Sequence, residues 1–151
     1  ALMPPEQRPQ VMHQSGAKNM DALAAAYAQA GVQAELLPFI DNMAQAVADA
    51  ALVICRSGAS TVTELAAVGV AAVYVPFPAA VDDHQTKNAE FLVNAGGGWL
   101  LPQAQLKPEF LAKLLLNMER QAIEQKANAA KSMQKITATQ DMVRACEELS
   151  T

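Results

Sequence analysis

The chain has 151 residues, which is enough for one domain with a core of its own. Hydrophobic residues make up 52% of the sequence and charged residues 17%, a balance that excludes a disordered chain. The net charge of −4 argues against a general nucleic-acid binder, which would be expected to be basic. No apolar run reaches the roughly 18 residues that a membrane span requires.

The cysteine and alanine contents indicate a helix-rich protein without a disulfide framework. Cys55 and Cys146 show no metal-binding or redox spacing, and two thiols in this length fit a reducing cytosol better than a disulfide scaffold. The opening residues 1–5 have no basic n-region and no long apolar h-region, so no signal peptide is expected. Alanine supplies about a fifth of the chain and predicts a high helix content.

Short apolar runs and helical patterns alternate along the chain. Strands are predicted near 10–13, 34–40, 51–55, 71–75 and 99–101. Helices are predicted over 19–30, from an Asp41 cap to about Ala50, over 59–68 and over 84–94, with a helical tail from Lys107 onward. The runs at 51–55 and 71–75 are continuously apolar, as in strands buried on both faces. This order predicts an α/β fold with a doubly wound parallel sheet and a C-terminal helical tail.

The most informative segment runs from Arg56 to Glu64, where a strand exit leads into a helix through small residues. Backbone N–H groups at Gly58–Thr61 would converge at the positive end of that helix, an arrangement suited to phosphate. Glu64 lies one turn beyond Ser60 and is placed to accept hydrogen bonds from sugar hydroxyls. The alternative is a plain cap, with Ser57 or Ser60 at the N-cap and Glu64 on the surface. The spacing does not decide between the two.

A second polar cluster, Asp82–Gln85, follows the stiff Pro76–Pro78 exit from the next strand. Asp83 is expected to cap the helix, and the helix dipole accounts for both aspartates. It does not account for the adjacent His84 and Gln85. A metal site is disfavoured because consecutive residues lie on different helix faces.

Two weaker motifs also stand at predicted strand exits. Phe39–Met43 offers the backbone N–H and C=O of Ile40 to a base edge, although apolar residues beside a cap are more often a hydrophobic staple. His13–Gly16 ends the first strand. The sequence contains no nucleophile elbow, Walker A motif or GxGxxG motif, so hydrolase, P-loop and NAD-binding functions lack their usual support.

In this order and spacing, the five motifs resemble the MurG family of glycosyltransferases. They are HQSG from His13, FIDNM from Phe39, RSGASTVTE from Arg56, VPFP from Val75 and DDHQTKNA from Asp82. That family adds N-acetylglucosamine to lipid-linked muramyl-pentapeptide in bacterial cell-wall synthesis. The resemblance implies the Rossmann-like C-terminal half of a two-domain GT-B enzyme. It also implies a chain that begins just after the glycine-rich loop touching the donor phosphates.

The resemblance assigns roles to particular residues. Ile40 corresponds to the residue that reads the uracil, Ala59–Glu64 to the segment around the nucleotide, and Gln85 to the residue that binds the sugar. Arg56 is expected to help balance the diphosphate charge. The full set expected to bind UDP-N-acetylglucosamine is Ile40, Met43, Arg56, Ser57, Gly58, Ala59, Ser60, Thr61, Val62, Thr63, Glu64, His84 and Gln85. No catalytic residue, metal or cofactor is expected within the chain.

The resemblance also implies the wider setting. Residues 1–106 would form the donor-binding domain and 107–151 its C-terminal helices. The acceptor, lipid I, the catalytic base and peripheral attachment to the cytoplasmic face of the inner membrane would belong to the absent N-terminal domain. The chain alone is therefore expected to be inactive. Two alternatives remain, a GT-B enzyme like UDP-N-acetylglucosamine 2-epimerase and a non-catalytic flavodoxin-like nucleotide-binding module.

Overall fold

Strands and helices alternate in the computed structural model, which describes residues 1–150 apart from the side chain of Val81. The strands are β1 (Met12–Gln14), β2 (Glu35–Leu37), β3 (Leu52–Cys55), β4 (Ala71–Tyr74) and β5 (Gly98–Leu100). The helices are α1 (Met20–Ala30), α2 (Met43–Asp49), α3 (Ala59–Val68), α4 (His84–Val93), α5 (Pro108–Leu116), α6 (Arg120–Ser132) and α7 (Ala138–Leu149). The predicted parallel α/β fold and its helical C-terminal segment are confirmed.

The chain divides into two compact units. Unit 1 comprises Ala1–Ala46 and Lys107–Met118. In it β1 and β2 pair in parallel, with His13 opposite Leu36, and α1 makes the crossover between them. Helix α1 ends as predicted at Gly31, whose φ of 60° is the left-handed conformation of a glycine C-cap.

Unit 2 comprises Val47–Leu106 and the described residues from Glu119 onward. Its sheet has the parallel order β3-β4-β5, with α3 and α4 as the crossovers. Every residue of β4 is buried, as its apolar run predicts. The core is completed by Leu65 from α3 and Leu92 from α4. The strand exits that carry the candidate site in this unit therefore rest on a packed core.

The prediction that β3 is buried on both faces is wrong. The side chain of Ile54 is 43% exposed on β3, which is an outer strand of the three-stranded sheet. A continuous apolar run does not distinguish an outer strand from a central one. At the other edge, a Cβ at Gly98 would lie 2.6 Å from the carbonyl oxygen of Ala72, so only glycine permits this approach of β5 to β4.

No helix formed by residues 1–150 combines the length and the apolar composition needed to cross a bilayer.

Candidate functional site

The turn between β3 and α3 presents the start of a helix at a strand exit of unit 2. Gly58 occupies the N-cap with extended backbone (φ −61°, ψ 151°), and the helix begins at Ala59. The N–H of Val62 donates to the carbonyl of Gly58 over 3.0 Å. The amides of residues 59–61 precede that bond and lie outside the hydrogen-bond ladder of the helix. The positive end of the helix dipole lies at this turn.

The plain serine cap considered from the sequence is not formed. Ser57 is fully buried, and its hydroxyl donates to the backbone carbonyl of Gln85 over 2.8 Å. Ser60 is exposed on the first turn of α3, and no side chain makes a capping hydrogen bond to this helix start. The amides at this helix start are therefore not covered by a serine hydroxyl.

Ser57 belongs to a network that joins the starts of α3 and α4. The Asn88 side chain donates through Nδ2 to the carbonyl of Ser57 over 3.1 Å. The Gln85 side chain accepts, through Oε1, the N–H of Phe77 over 2.9 Å. That bond fixes the Gln85 carboxamide and leaves its NH2 as the donor side. Asn88 and Phe77 were given no role from the sequence, although Asn88 lies one helical turn after Gln85.

Arg56 holds the exit of β4. Its Nη1 donates to the carbonyls of Val75 and Pro76, each over 3.1 Å, and its guanidinium lies 5.5 Å from the ring centre of Phe77. One guanidinium nitrogen is therefore committed to the backbone that carries Phe77. The geometry gives Arg56 a positioning role in this network.

The remaining residues of the α3 segment differ in exposure. Glu64 is exposed one turn after Ser60, on the same helix. Val62 is buried in the core, and its N–H donates to the carbonyl of Gly58. Thr63 donates its hydroxyl to the carbonyl of Ala59 over 2.9 Å. Glu64 and Ser60 thus present polar groups to solvent, whereas Val62 anchors the helix.

The start of α4 has an unusual backbone. Asp82 and Asp83 have φ values of 51° and 52°, in the left-handed region that non-glycine residues seldom adopt. Asp83 occupies the N-cap position as expected. Its carboxylate accepts the hydroxyl of Thr86 over 2.6 Å, and no side-chain cap is made to a backbone amide. His84, the first residue of α4, is exposed.

In unit 1 the exit of β2 carries the other predicted site residues. The N–H of Ile40 donates to Oε1 of Gln14 over 3.0 Å. Phe39 is 65% exposed and Met43 is 37% exposed, so neither side chain is buried. Gln14 had no individual role in the sequence analysis, although its motif was identified.

The cap of α2 is Asn42, not Asp41 as predicted. The N–H of Gln45 donates to Oδ1 of Asn42 over 3.1 Å, and the N–H of Ala46 donates to the Asn42 carbonyl. Both residue types are good N-caps, so the sequence alone does not choose between neighbours.

Two weakly acidic groups end the strands of unit 2, the half-buried thiol of Cys55 on β3 and the buried phenol of Tyr74 on β4. Burial raises the pKa of the Cys55 thiol to about 11. Burial also raises the pKa of Tyr74, and Cys55 adds to that shift. Neither group is therefore ionised near neutral pH. Within residues 1–150, no three His, Cys, Asp or Glu side chains form a group that could hold a metal ion.

Comparisons with known proteins cover almost the whole chain. Residues 3–145 match the glycosyltransferase family 28 C-terminal domain. Two relatives carry the name UDP-N-acetylglucosamine–N-acetylmuramyl-(pentapeptide) pyrophosphoryl-undecaprenol N-acetylglucosamine transferase. The one from Verminephrobacter eiseniae is 63% identical and the one from Paracidovorax citrulli 62%, each over 150 residues, or 99% of this chain. The crystal structure of Acinetobacter baumannii MurG is 43% identical over 92% of the chain, with a TM-score of 0.86. The chain spans 42% of the length of the two relatives and 43% of that structure.

Proposed function

Because the chain belongs to the glycosyltransferase family 28 C-terminal domain family, we propose that it is the donor-binding part of a hexosyltransferase. The donor is UDP-N-acetylglucosamine, and the whole protein transfers its sugar to lipid I to form lipid II in peptidoglycan synthesis. The name carried by the relatives supports both substrates. The undecaprenol in that name supports an acceptor that is anchored in a membrane. We place the reaction at the cytoplasmic face of that membrane, with the acceptor site and the base outside this chain.

One observation carries the donor assignment. The amides of residues 59–61 lie at an α-helix start that no side chain caps. In a glycosyl transfer that inverts the anomeric carbon, an acceptor hydroxyl attacks that carbon while the bond to the diphosphate breaks. The departing UDP gains negative charge. Amides already oriented toward it stabilise that charge without reorganising during the reaction.

The other residues hold the donor in place. Glu64, exposed one turn along α3, accepts hydrogen bonds from the ribose hydroxyls. Gln85, fixed by the N–H of Phe77, offers its NH2 to the sugar. Arg56 acts on the donor by fixing the backbone at Val75 and Pro76. Holding the reacting carbon in one geometry removes much of the entropy cost of a two-substrate reaction.

Calorimetric titration of the chain with UDP, UDP-N-acetylglucosamine and ADP tests donor binding. We expect the two uridine ligands to bind and ADP to bind more weakly. Glu64→Gln should weaken UDP binding about tenfold, equivalent to about 1.4 kcal/mol. Glu90→Gln, which alters an exposed acid on α4, is the matched control and should leave binding unchanged. Equal affinities for UDP and ADP would favour the flavodoxin-like module instead.

Gly58 gives an independent test of where the diphosphate lies. Its φ of −61° suits any residue, and an added Cβ would meet only Oγ1 of Thr61, at 3.8 Å. Gly58→Ala should therefore fold, with a loss of about 1 kcal/mol or less because alanine is a poorer N-cap than glycine. If the diphosphate approaches this turn closely, the methyl group will reduce UDP affinity at least tenfold. Unchanged affinity in a folded Gly58→Ala chain would move the phosphate away from this turn.

A chimera tests the reaction. We expect the chain alone to transfer no N-acetylglucosamine to lipid I. Substituting it for the matching segment of the Verminephrobacter eiseniae relative should give a chimera that forms lipid II. A chimera that instead inverts C2 of the donor sugar would support the epimerase alternative. Transfer of N-acetylglucosamine by the chain alone would contradict the proposal that the acceptor site and the base lie outside it.

A further inference from the structure

Two helix starts of unit 2 are joined by a pair of hydrogen bonds that run in opposite directions. The hydroxyl of Ser57, two residues before α3, donates to the backbone carbonyl of Gln85, the second residue of α4, over 2.8 Å. The Nδ2 of Asn88, further along α4, donates to the backbone carbonyl of Ser57 over 3.1 Å. Each helix start therefore gives a side chain to the backbone of the other, and we call these two bonds the clasp.

The burial of Ser57 limits what its hydroxyl can do. Ser57 has no exposed surface, and Asn88 is half-buried. A buried carbonyl that loses its donor finds no water to replace it, so both bonds of the clasp favour one spacing of the two helix starts. A side chain without exposed surface has no face to offer a ligand. Any effect of the Ser57 hydroxyl on the reaction must therefore pass through the backbone of Gln85.

The two segments that the clasp joins carry different parts of the proposed site. The amides of residues 59–61, proposed to meet the diphosphate, begin two residues after Ser57. The carboxamide of Gln85, proposed to hold the sugar, belongs to the residue whose carbonyl accepts the Ser57 hydroxyl. The N–H of Phe77 fixes the outer end of that side chain, at Oε1, over 2.9 Å. The clasp and this bond together hold both ends of Gln85, its backbone and its carboxamide.

In a nucleotide sugar a single oxygen atom joins the diphosphate to the sugar, so the groups that bind the two must stand at one separation. A misplacement of about 1 Å can slow a reaction about a hundredfold. We propose that Ser57 is a positioning residue, whose hydroxyl sets the separation between the amides that meet the diphosphate and the carboxamide that holds the sugar. The inference rests on the proposed function and names a residue that acts on the donor without touching it.

The test is the ratio of the dissociation constant of UDP to that of UDP-N-acetylglucosamine, because this ratio isolates what the sugar adds to binding. Ser57→Ala removes the hydroxyl and keeps every group that is proposed to contact the donor. We expect the ratio to fall about fivefold, mainly through weaker binding of UDP-N-acetylglucosamine. Asn88→Ala breaks the other bond of the clasp and should lower the ratio as well.

Two control variants separate positioning from stability. Val70→Ala removes packing from a core residue that is 4% exposed, at the end of α3 away from the clasp. It should destabilise the chain and leave the ratio unchanged. Ser132→Ala removes a serine hydroxyl that donates to the carbonyl of Ala129 on α6, and it should also leave the ratio unchanged.

A double-mutant cycle shows whether Ser57 acts through Gln85. Gln85→Ala removes the carboxamide and should lower the ratio by itself. If Ser57 acts by placing that carboxamide, adding Ser57→Ala to the Gln85→Ala chain should lower the ratio no further. A second fall of the same size would show that Ser57 affects sugar binding by another route, and would overturn the inference.

The outcomes separate this inference from the proposed function. A wild-type chain that does not prefer UDP over ADP contradicts the proposed function. A wild-type chain that prefers UDP, with an unchanged ratio in folded Ser57→Ala, overturns the role of Ser57 alone. An equal fall of the ratio in Val70→Ala also overturns that role, since the loss would then follow from stability. If Ser57→Ala does not fold, the ratio in Asn88→Ala decides in the same way.

Discussion

Units 1 and 2 carry site residues on differently built supports. In unit 2, Leu65, Val73 and Leu92 are at most 2% exposed, and side-chain hydrogen bonds tie the strand exits together. In unit 1, every residue of which the structure describes, none is buried. Its two-stranded sheet is a marginal element by itself. The comparison indicates that the residues proposed to meet the diphosphate and sugar stand on a rigid support. Those proposed to meet the base stand on a part that opens at lower free energy.

The largest expected effect is a core truncation in unit 2. Leu92→Ala removes a side chain with no exposed surface and should lower the free energy of unfolding by about 3 kcal/mol. Leu23→Ala, at a half-buried position on α1, should lower it by about 1 kcal/mol. Urea denaturation followed by circular dichroism measures both. Equal losses would show that the two units are packed alike.

Alkaline pH should weaken unit 2 through Cys55. Its pKa is about 11 in the folded chain, against 9.0 ordinarily, because burial disfavours the thiolate. The folded chain keeps its full stability below pH 9, where the thiol is protonated in both states. As the pH rises toward 11 the unfolded chain loses this proton first, and the free energy of unfolding falls by about 2 kcal/mol. Urea unfolding at several pH values from 8 to 11 measures this loss. The free energy of unfolding should depend less on pH in Cys55→Ala than in the wild-type chain.

The exposed Cys146 on α7 provides the control for that experiment. Cys146→Ala should keep the alkaline loss of stability seen in the wild-type chain. Tyr74 also has a raised pKa and begins to contribute above its ordinary value of 10. Burial also raises the pKa of Tyr27, which is expected to contribute in the same range as Tyr74. Between pH 9 and 10 the contribution of Cys55 is therefore the largest of the three. If the free energy of unfolding fell as steeply with pH in Cys55→Ala as in the wild-type chain, the loss would not come from Cys55.

A smaller loss is expected from the buried hydroxyl at the α3 turn. Ser57→Ala leaves the carbonyl of Gln85 without its donor and should cost about 1.5 kcal/mol. Ser60→Ala, at an exposed position three residues on, should change stability by less than about 0.5 kcal/mol. Thermal unfolding of the two variants makes the comparison. Equal effects would mean that the network does not support the turn.

Periodicity predicted the elements because it depends on local sequence, whereas the contacts of individual groups depend on neighbours distant in the chain. The bounds of α3 and the burial of β4 follow from the sequence. The exposure of Ile54 does not, because it depends on which elements, distant in the sequence, cover that face of β3. The strand-exit rule located the candidate turns.

The rule did not reveal which groups at those turns are already bonded. Ser57, predicted to bind substrate, uses its hydroxyl on Gln85, 28 residues away in sequence. The Ile40 N–H, predicted to meet a base, is bonded to Gln14, 26 residues away. These partners become neighbours only when parallel strands align, so no local pattern could identify them.

The smallest expected effect is a difference in unfolding free energy between two variants, one in each unit, at a glycine that ends a helix. Gly31 ends α1 and Gly69 ends α3, each in the left-handed conformation, with φ of 60° and 81°. A Cβ at Gly31 would meet no atom within 4 Å, so Gly31→Ala should cost only the backbone strain, about 1 kcal/mol. A Cβ at Gly69 would lie 2.9 Å from Cβ of Lys131 on α6, which must then move. Gly69→Ala should therefore cost more. Because the backbone strain is similar at the two sites, the difference in unfolding free energy between the two variants measures the tighter packing of unit 2. Equal costs would show that Lys131 moves away freely and that the packing around the C-terminal end of α3 is looser than its burial indicates.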